Sequence, residues 1–230
     1  MLLCQQKVNK KSNEITAIPV LLDILDLKGV TVTIDAMGCQ LEICQKIITK
    51  QGDYVIALKE NQPTLYQDVQ DYFQEIGEFS YVTFEHWDKG HARLERRVCT
   101  VTDDIDWLQK EHQWPGLQSI ARVESCVKTK KKESSMTRYF VSSLKANAAN
   151  HLELIRKHWG IENTLHWVLD LTFNEDKSCV RNENAALNLS VARKLALNVL
   201  MTNKDEKTSL RSLQRKCWNT LNAIKFLDNF

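Results

Sequence analysis

Two β-branched runs with one helix between them constrain this chain more than any other feature. VTVTIDA (residues 30–36) is an almost uninterrupted β-branched run, which predicts a strand buried on both faces. CQLEICQKIITKQG follows with apolar residues at helical spacing, closed by Gly52. DYVIALK (residues 53–59) is a second buried run. Links this short between strand, helix and strand predict a parallel, right-handed βαβ crossover. In open sheets of that kind ligands gather at the carboxyl ends of the strands, and the first run ends at Asp35.

The flanking segments extend this core. Leu2 to Lys7 reads as a short strand. SNEITAIPVLLDILDLKG opens with Ser12 as N-cap, repeats Ile15, Ile18, Leu21, Leu22 and Leu25 at helical spacing, carries Pro19 inside and stops at Gly29. QPTLYQDVQDYFQEIG predicts a third helix with Pro63 in its first turn. From Phe79 to Leu144 the pattern changes to short alternating runs, as in antiparallel strands, with the basic run Lys128–Lys132 at a hairpin tip. From Ala146 the chain is helical again, with one helix or two in series over 147–171, an amphipathic helix over 184–201 and a basic helical tail. The expected divisions are residues 1–78, a β-rich block 79–145, a helical completion of the core 146–203 and a tail 204–230.

Composition excludes several classes. No apolar run approaches the ~18 residues of a membrane span. Seven Cys occur without a CxxC pair, which argues for reduced thiols and a cytoplasmic setting over a disulfide framework. The net charge is only +2, so any surface for nucleic acid must be local.

The stretch RKHWGIENTLHWVLDLTF (residues 156–173) is chemically dense. His158, Glu162 and His166 are spaced four apart and share a helical face, Asp170 continues it, and Trp159 and Trp167 flank it. A carboxylate among imidazoles and indoles fits neither an ordinary core face nor a solvent face. Two readings stand: a partly buried helix with a His–Glu hydrogen bond, or a metal site. HExxH is absent, and well-separated carboxylates suit Mg²⁺ or Mn²⁺ better than zinc. Asp35 has two readings as well: a cap on the turn that follows it, or a ligand that meets a second carboxylate.

Five segments in order, VTIDAMGCQ, DYVIALKENQPTL, GHARLERR, YFVSSL and HWGIENTLHWVLDLTFNEDKS, resemble the DDE transposases of bacterial insertion sequences, in the H-repeat-associated branch. The resemblance covers nearly the whole chain. It implies an α/β ribonuclease-H-like (retroviral-integrase-like) core, a β-rich insertion before the catalytic helix, and an Asp-Asp-Glu site for Mg²⁺ or Mn²⁺. It places the second Asp on Asp35 and the Glu on Glu162, both catalytic and metal-ligating. The implied activity is DNA transposition by metal-dependent phosphodiester cleavage and strand transfer. Where the wider superfamily has Tyr, Arg and Lys around its Glu, this chain has Ile155, His158 and either His166 or Leu169. Arg156, Lys157, His158 and His166 are expected against DNA phosphates, as are Lys130 and Lys131 of the hairpin tip and Arg193, Lys194, Arg211, Arg215 and Lys216. Asp170 has two readings, an orienter of His166 or a solvent-facing residue of the same helical stripe. In GHARLERR, Ala92 stands where a second Gly is usual.

The family's first Asp, in an Asp-Gly-Lys segment of the first core strand, has no counterpart here. The resemblance implies a strand order of three, two, one, four, five, with Leu2–Lys7 as the third strand and the first two missing. The expectation is therefore an N-terminally truncated and inactive fragment. The alternative is a non-catalytic DNA- or protein-binding remnant that interferes with an intact transposase. Formation of a homo-oligomer is left open.

Overall fold

Helix α1 (Glu14–Ile24) leads into strand β1 (Thr31–Ile34), α2 (Leu41–Thr49) and strand β2 (Asp53–Leu58). The computed structural model describes residues 4–5, 14–75, 77, 80–90, 93–130, 132–161, 165–205 and 208–228. The two strands are parallel, Thr31 level with Asp53 and Ile34 with Ile56, so the βαβ crossover is present. α2 turns Ile43, Cys44 and Ile47 inward. Its exit is taken by Gln51 in the left-handed region (φ 59°), not by Gly52. Gly52 is needed for space, since a Cβ there would meet the Leu27 carbonyl oxygen at 3.0 Å. The predicted helix start at Ser12 and most of the Leu2–Lys7 strand lie outside the described residues; Cys4 and Gln5 belong to no strand.

β2 is buried along most of its length, but β1 is only half-buried throughout. This corrects the expectation of burial on both faces. Among the described residues β1 is the edge of the sheet, with β2 as its neighbour. The chain continues through α3 (Pro63–Glu75), β3 (Val82–Gly90), β4 (Arg93–Thr102), α4 (Asp106–His112), β5 (Ser119–Thr129) and β6 (Glu133–Ser142). β6 pairs antiparallel with β2, and β5, β4 and β3 follow in turn, giving the order β1-β2-β6-β5-β4-β3. The alternating runs therefore extend the sheet begun by β1 and β2.

Side-chain alternation divides the sheet into two faces. On one, Tyr54, Ile56, Leu58, Ile120, Tyr139 and Val141 pack against Leu22 of α1, Ile43 and Ile47 of α2, Leu65 and Phe73 of α3 and Leu108 of α4. On the other, Val55, Cys99, Val101, Ala121, Val123 and Phe140 receive Ala148, Leu152 and Ile155 of α5 (Ala148–Ile161). Helices thus cover both faces of a mixed sheet. Residues 8–158 form one unit; residues 159–230 with 1–7 form another. The second contains α6 (Trp167–Phe173), α7 (Glu183–Thr202), α8 (Leu210–Lys216) and α9 (Thr220–Asp228). Its small core joins Val168, Leu169 and Leu197. The Asn182 side chain caps α7 by accepting from the backbone N–H groups of Asn184 and Ala185. The predicted tail helix is two helices, α8 and α9.

The start of α5 is fixed by polar contacts. Asn147 Oδ1 accepts from the Asn150 N–H at 3.0 Å, an N-cap. The fully buried His151 ring places Nδ1 2.8 Å from the Asn147 carbonyl oxygen and Nε2 3.2 Å from Ser119 Oγ. A carbonyl can only accept, so Nδ1 carries the proton of the neutral ring. Burial lowers the His151 pKa, so the unfolded chain binds this proton more readily than the folded one. Stability from this group is therefore level above about pH 6.5 and falls below it, by at most about 1.4 kcal/mol per pH unit. The urea midpoint should drop between about pH 7.5 and about pH 5.5, and drop less in His151→Asn. Equal drops in both chains would contradict this assignment.

Candidate metal and nucleic-acid site

Asp35 closes β1 with extended backbone (φ −70°, ψ 177°). Strand alternation therefore carries through it, and Thr33 and Asp35 share one face. Thr33 is level with Val55, which lies in the cluster beneath α5. Asp35 thus belongs to the face that α5 covers. Its side chain is exposed and makes no capping bond to the 3₁₀ turn that follows, Ala36–Gly38. The capping role is not what the fold uses Asp35 for.

The loop after Asp35 is packed on one side and hydrogen-bonded on the other. A Cβ on Gly38 would meet Ile34 Cγ2 at 2.3 Å, so the turn sits directly on the strand it leaves. Asn61, just past the carboxyl end of β2, donates through Nδ2 to the Ala36 carbonyl at 2.7 Å. Gln62 donates through Nε2 to the Cys39 carbonyl at 2.9 Å. Because β1 and β2 are parallel, their carboxyl-end loops are neighbours and can bond in this way. Sequence reasoning quoted these amides within DYVIALKENQPTL and gave them no role; they position the Asp35 loop.

α5 approaches the same region. His158 Nδ1 lies 3.2 Å from Thr33 Oγ1, two residues before Asp35. Arg156, on the same helix, donates to Asp88 Oδ2 of β3 at 2.8 Å and lies against the His86 ring. Asp88 also accepts from Arg97, which pairs in turn with Glu95 at 2.6 Å. Partial burial acts to raise the Asp88 carboxyl, but the Arg97 and Arg156 guanidiniums outweigh it and hold the group below the usual carboxylate range. Lys157 pairs with Glu153 at 2.6 Å. Between β3 and α5 runs an open groove of about 630 Å³, lined by Phe84, His86, Asn150 and Arg156 among others.

The remaining predicted residues are scattered. Lys130 is exposed at the tip of the β5–β6 hairpin, where Thr129 and Lys132 bond to each other across the turn. Lys131, Glu162 and Ala92 lie outside the described residues. α5 ends at Ile161, and Leu165 and His166 form a π-helical turn that runs into α6. In the second unit His166 is exposed and Asp170 is half-buried, with no hydrogen bond between them. Lys194 donates to Gln5 at 2.5 Å and Arg211 to the Leu171 carbonyl at 2.9 Å.

Among the described residues no cluster of three or more His, Cys, Asp or Glu side chains is arranged to hold a metal ion. Asp35 alone fits one oxygen ligand of a hard cation, since its carboxylate has no hydrogen bond or ion pair with another described residue. The buried thiols are not competitors. Burial pushes Cys44 and Cys99 up to about 12 and Cys39 higher still, so all three pack as neutral groups. No described helix is long and apolar enough to cross a membrane.

Comparison with known proteins adds three findings. A profile described as "Transposase DDE domain" matches residues 1–199. The protein YbfL of Escherichia coli strain K12 is 40% identical over 225 residues, covering 94% of this chain and 59% of its own length. The "H repeat-associated putative transposase YhhI" of the same strain is 39% identical, with the same coverage. The chain thus spans about three fifths of the length of these curated relatives. No solved structure gives a significant match.

Proposed function

The chain belongs to the DDE transposase family, and from that premise we propose that it contributes to DNA transposition through a ribonuclease-H-like core. In this reading Asp35 and Glu162 bind Mg²⁺ or Mn²⁺ as oxygen ligands. When bound, such ions supply Lewis acidity toward a phosphodiester. The observation that carries the proposal is the placement of Asp35. It is an exposed carboxylate at the carboxyl end of a parallel strand, without a bond to another described residue, on the face covered by the helix whose sequence continues into Glu162. The backbone that follows it is packed against Ile34 at Gly38 and bonded to the loop after β2 through Asn61 and Gln62.

DNA is held by its phosphates in this reading, through Lys130 and Lys131 of the hairpin, Lys157, His166 and the basic residues of α7 and α8. Arg156 is already engaged by Asp88, so its share in phosphate binding requires that pair to open. Backbone contacts of this kind are sequence-tolerant and strongly salt-dependent.

The 230 residues contain no Asp-Gly-Lys segment, and a family site needs three carboxylates. The expected result is therefore DNA retention without cleavage. In a filter assay, retention should fall by tenfold or more between roughly 50 and 200 mM salt. Supercoiled plasmid with Mn²⁺ should stay intact. Nicking that disappears in Glu162→Ala would show that the chain forms a complete catalytic centre, and salt-independent retention would remove the phosphate-binding reading.

A further inference from the structure

We propose that β3 is a self-complementary edge through which two copies of this chain associate, pairing antiparallel about a two-fold axis at Trp87. The surface lies wholly within the unit of residues 8–158 and is independent of the carboxylate reading. Among the described residues β3 pairs with β4 alone, so the other side of its backbone has no strand beside it. The pairing with β4 runs without a bulge from Val82, level with Val101, to Gly90, level with Arg93. A continuous edge with neither bulge nor Pro is a template for another strand, and natural sheets usually blunt such edges. This one also carries apolar groups into solvent: Phe84 is 40% exposed and Trp87 54%.

The order of the side chains points to a second copy as the occupant. On antiparallel strands related by a two-fold axis, directly opposed residues lie on the same face of the sheet. With the axis at Trp87, Glu85 is opposite the partner's Lys89, His86 opposite the partner's Asp88, and Phe84 opposite the partner's Gly90. Each contact occurs twice, and the two Trp87 rings meet at the centre. Moving the axis by one residue destroys the match. At His86, Glu85 faces the partner's Trp87 and Asp88 faces the partner's Phe84; at Asp88, two carboxylates oppose each other.

The fold leaves these groups ready. Arg96 holds Glu85 at the edge by donating to both its carboxylate oxygens, at 3.0 and 2.8 Å, and its guanidinium lies 5.8 Å from the centre of the Trp87 ring. Side chains already fixed lose little freedom on pairing. Lys89 is exposed. On the face of Phe84 and His86 the groove between β3 and α5 is open, so α5 leaves room beside this edge for a second strand. A Cβ on Gly90 would meet nothing within 4 Å, so the partner's Phe84 has space to cover that bare position of the strand. A single strand pairing belongs with small interfaces, so the dimer should form only at high concentration and exchange readily.

Sedimentation velocity of the full chain over roughly a hundredfold range of concentration reads the association, and amide hydrogen exchange locates it. The original chain should pass from monomer to dimer as concentration rises. Exchange within residues 84–90 should slow in step, because outward N–H groups gain acceptors. Lys89→Glu should weaken the dimer about tenfold, since like charges then oppose each other twice. Glu85→Lys should do the same. An equimolar mixture of the Lys89→Glu and Glu85→Lys chains should recover the dimer, because unlike charges face each other again in the mixed pair. Three results overturn the proposal. One is a chain that stays monomeric throughout the range. Another is a dimer that is indifferent to Lys89→Glu or shows no slowing of exchange in β3, since it uses a different surface. The third is a pair of weakened variants, each with the urea midpoint of the original chain, that do not associate on mixing. Should Glu85→Lys fail to fold for want of its Arg96 pair, Lys89→Glu and the exchange pattern of β3 decide alone.

Discussion

Mn²⁺ binding in Asp35→Asn should fall by on the order of a hundredfold, with little change in stability. A hard cation takes its binding energy from anionic oxygens, and an amide oxygen in the same place has lost the charge. The loss of that charge should therefore appear directly in the affinity. Stability should hardly move, because the Asp35 side chain is exposed and neither caps the following turn nor pairs with a described residue. An isothermal titration and a urea melt of the same variant check both halves. Unchanged Mn²⁺ affinity would remove Asp35 from any metal site. A loss of several kcal/mol in stability would mean that the carboxylate supports the fold after all.

Leu152→Ala should cost about 2–5 kcal/mol, the range for emptying a large aliphatic side chain from a packed core. Leu152 is 1% exposed and sits between α5 and the sheet residues Val55, Cys99, Val101 and Phe140. A unit of this size loses roughly 2–4 °C of melting temperature per kcal/mol, so a drop of many degrees is expected. The expected loss also decides how α5 is held. A cost below about 1 kcal/mol would mean that the helix is not fixed to the sheet by its apolar face. The polar anchors at Arg156 and His158 would then carry more of the docking than the packing suggests.

The parallel βαβ unit was legible because β-branched runs and a short amphipathic helix leave few alternatives. What those runs do not encode is position in the sheet. VTVTIDA reads the same at an edge as at the centre, which is why β1 was expected to be buried on both faces and is half-buried instead. The antiparallel strands were visible as alternation, but their junction with β2 depends on non-local pairing of Val55 with Ser142. Asp35 was singled out from its place at a strand end, where the structure also puts it. Its rejection of the capping role could not be read, since Asp before a turn satisfies the local pattern either way. Spacing put His158 on one face with Glu162, but not against Thr33, because helical periodicity says nothing about the neighbouring element. Asp88 was missed altogether; its role comes from cross-strand geometry that brings Arg97 and Arg156 to one carboxylate.

The bonds from Asn61 to Ala36 and from Gln62 to Cys39 couple two segments more than twenty residues apart in sequence. Lengthening the stretch between Lys59 and Pro63 by even one residue would shift both amides off their carbonyls. The disturbance would be felt at Asp35, although the inserted residue would be remote from it in the sequence. Mutational drift in one loop is therefore constrained by the other, and a variant library that randomises 59–62 should report on Asp35 as faithfully as one that randomises 36–39.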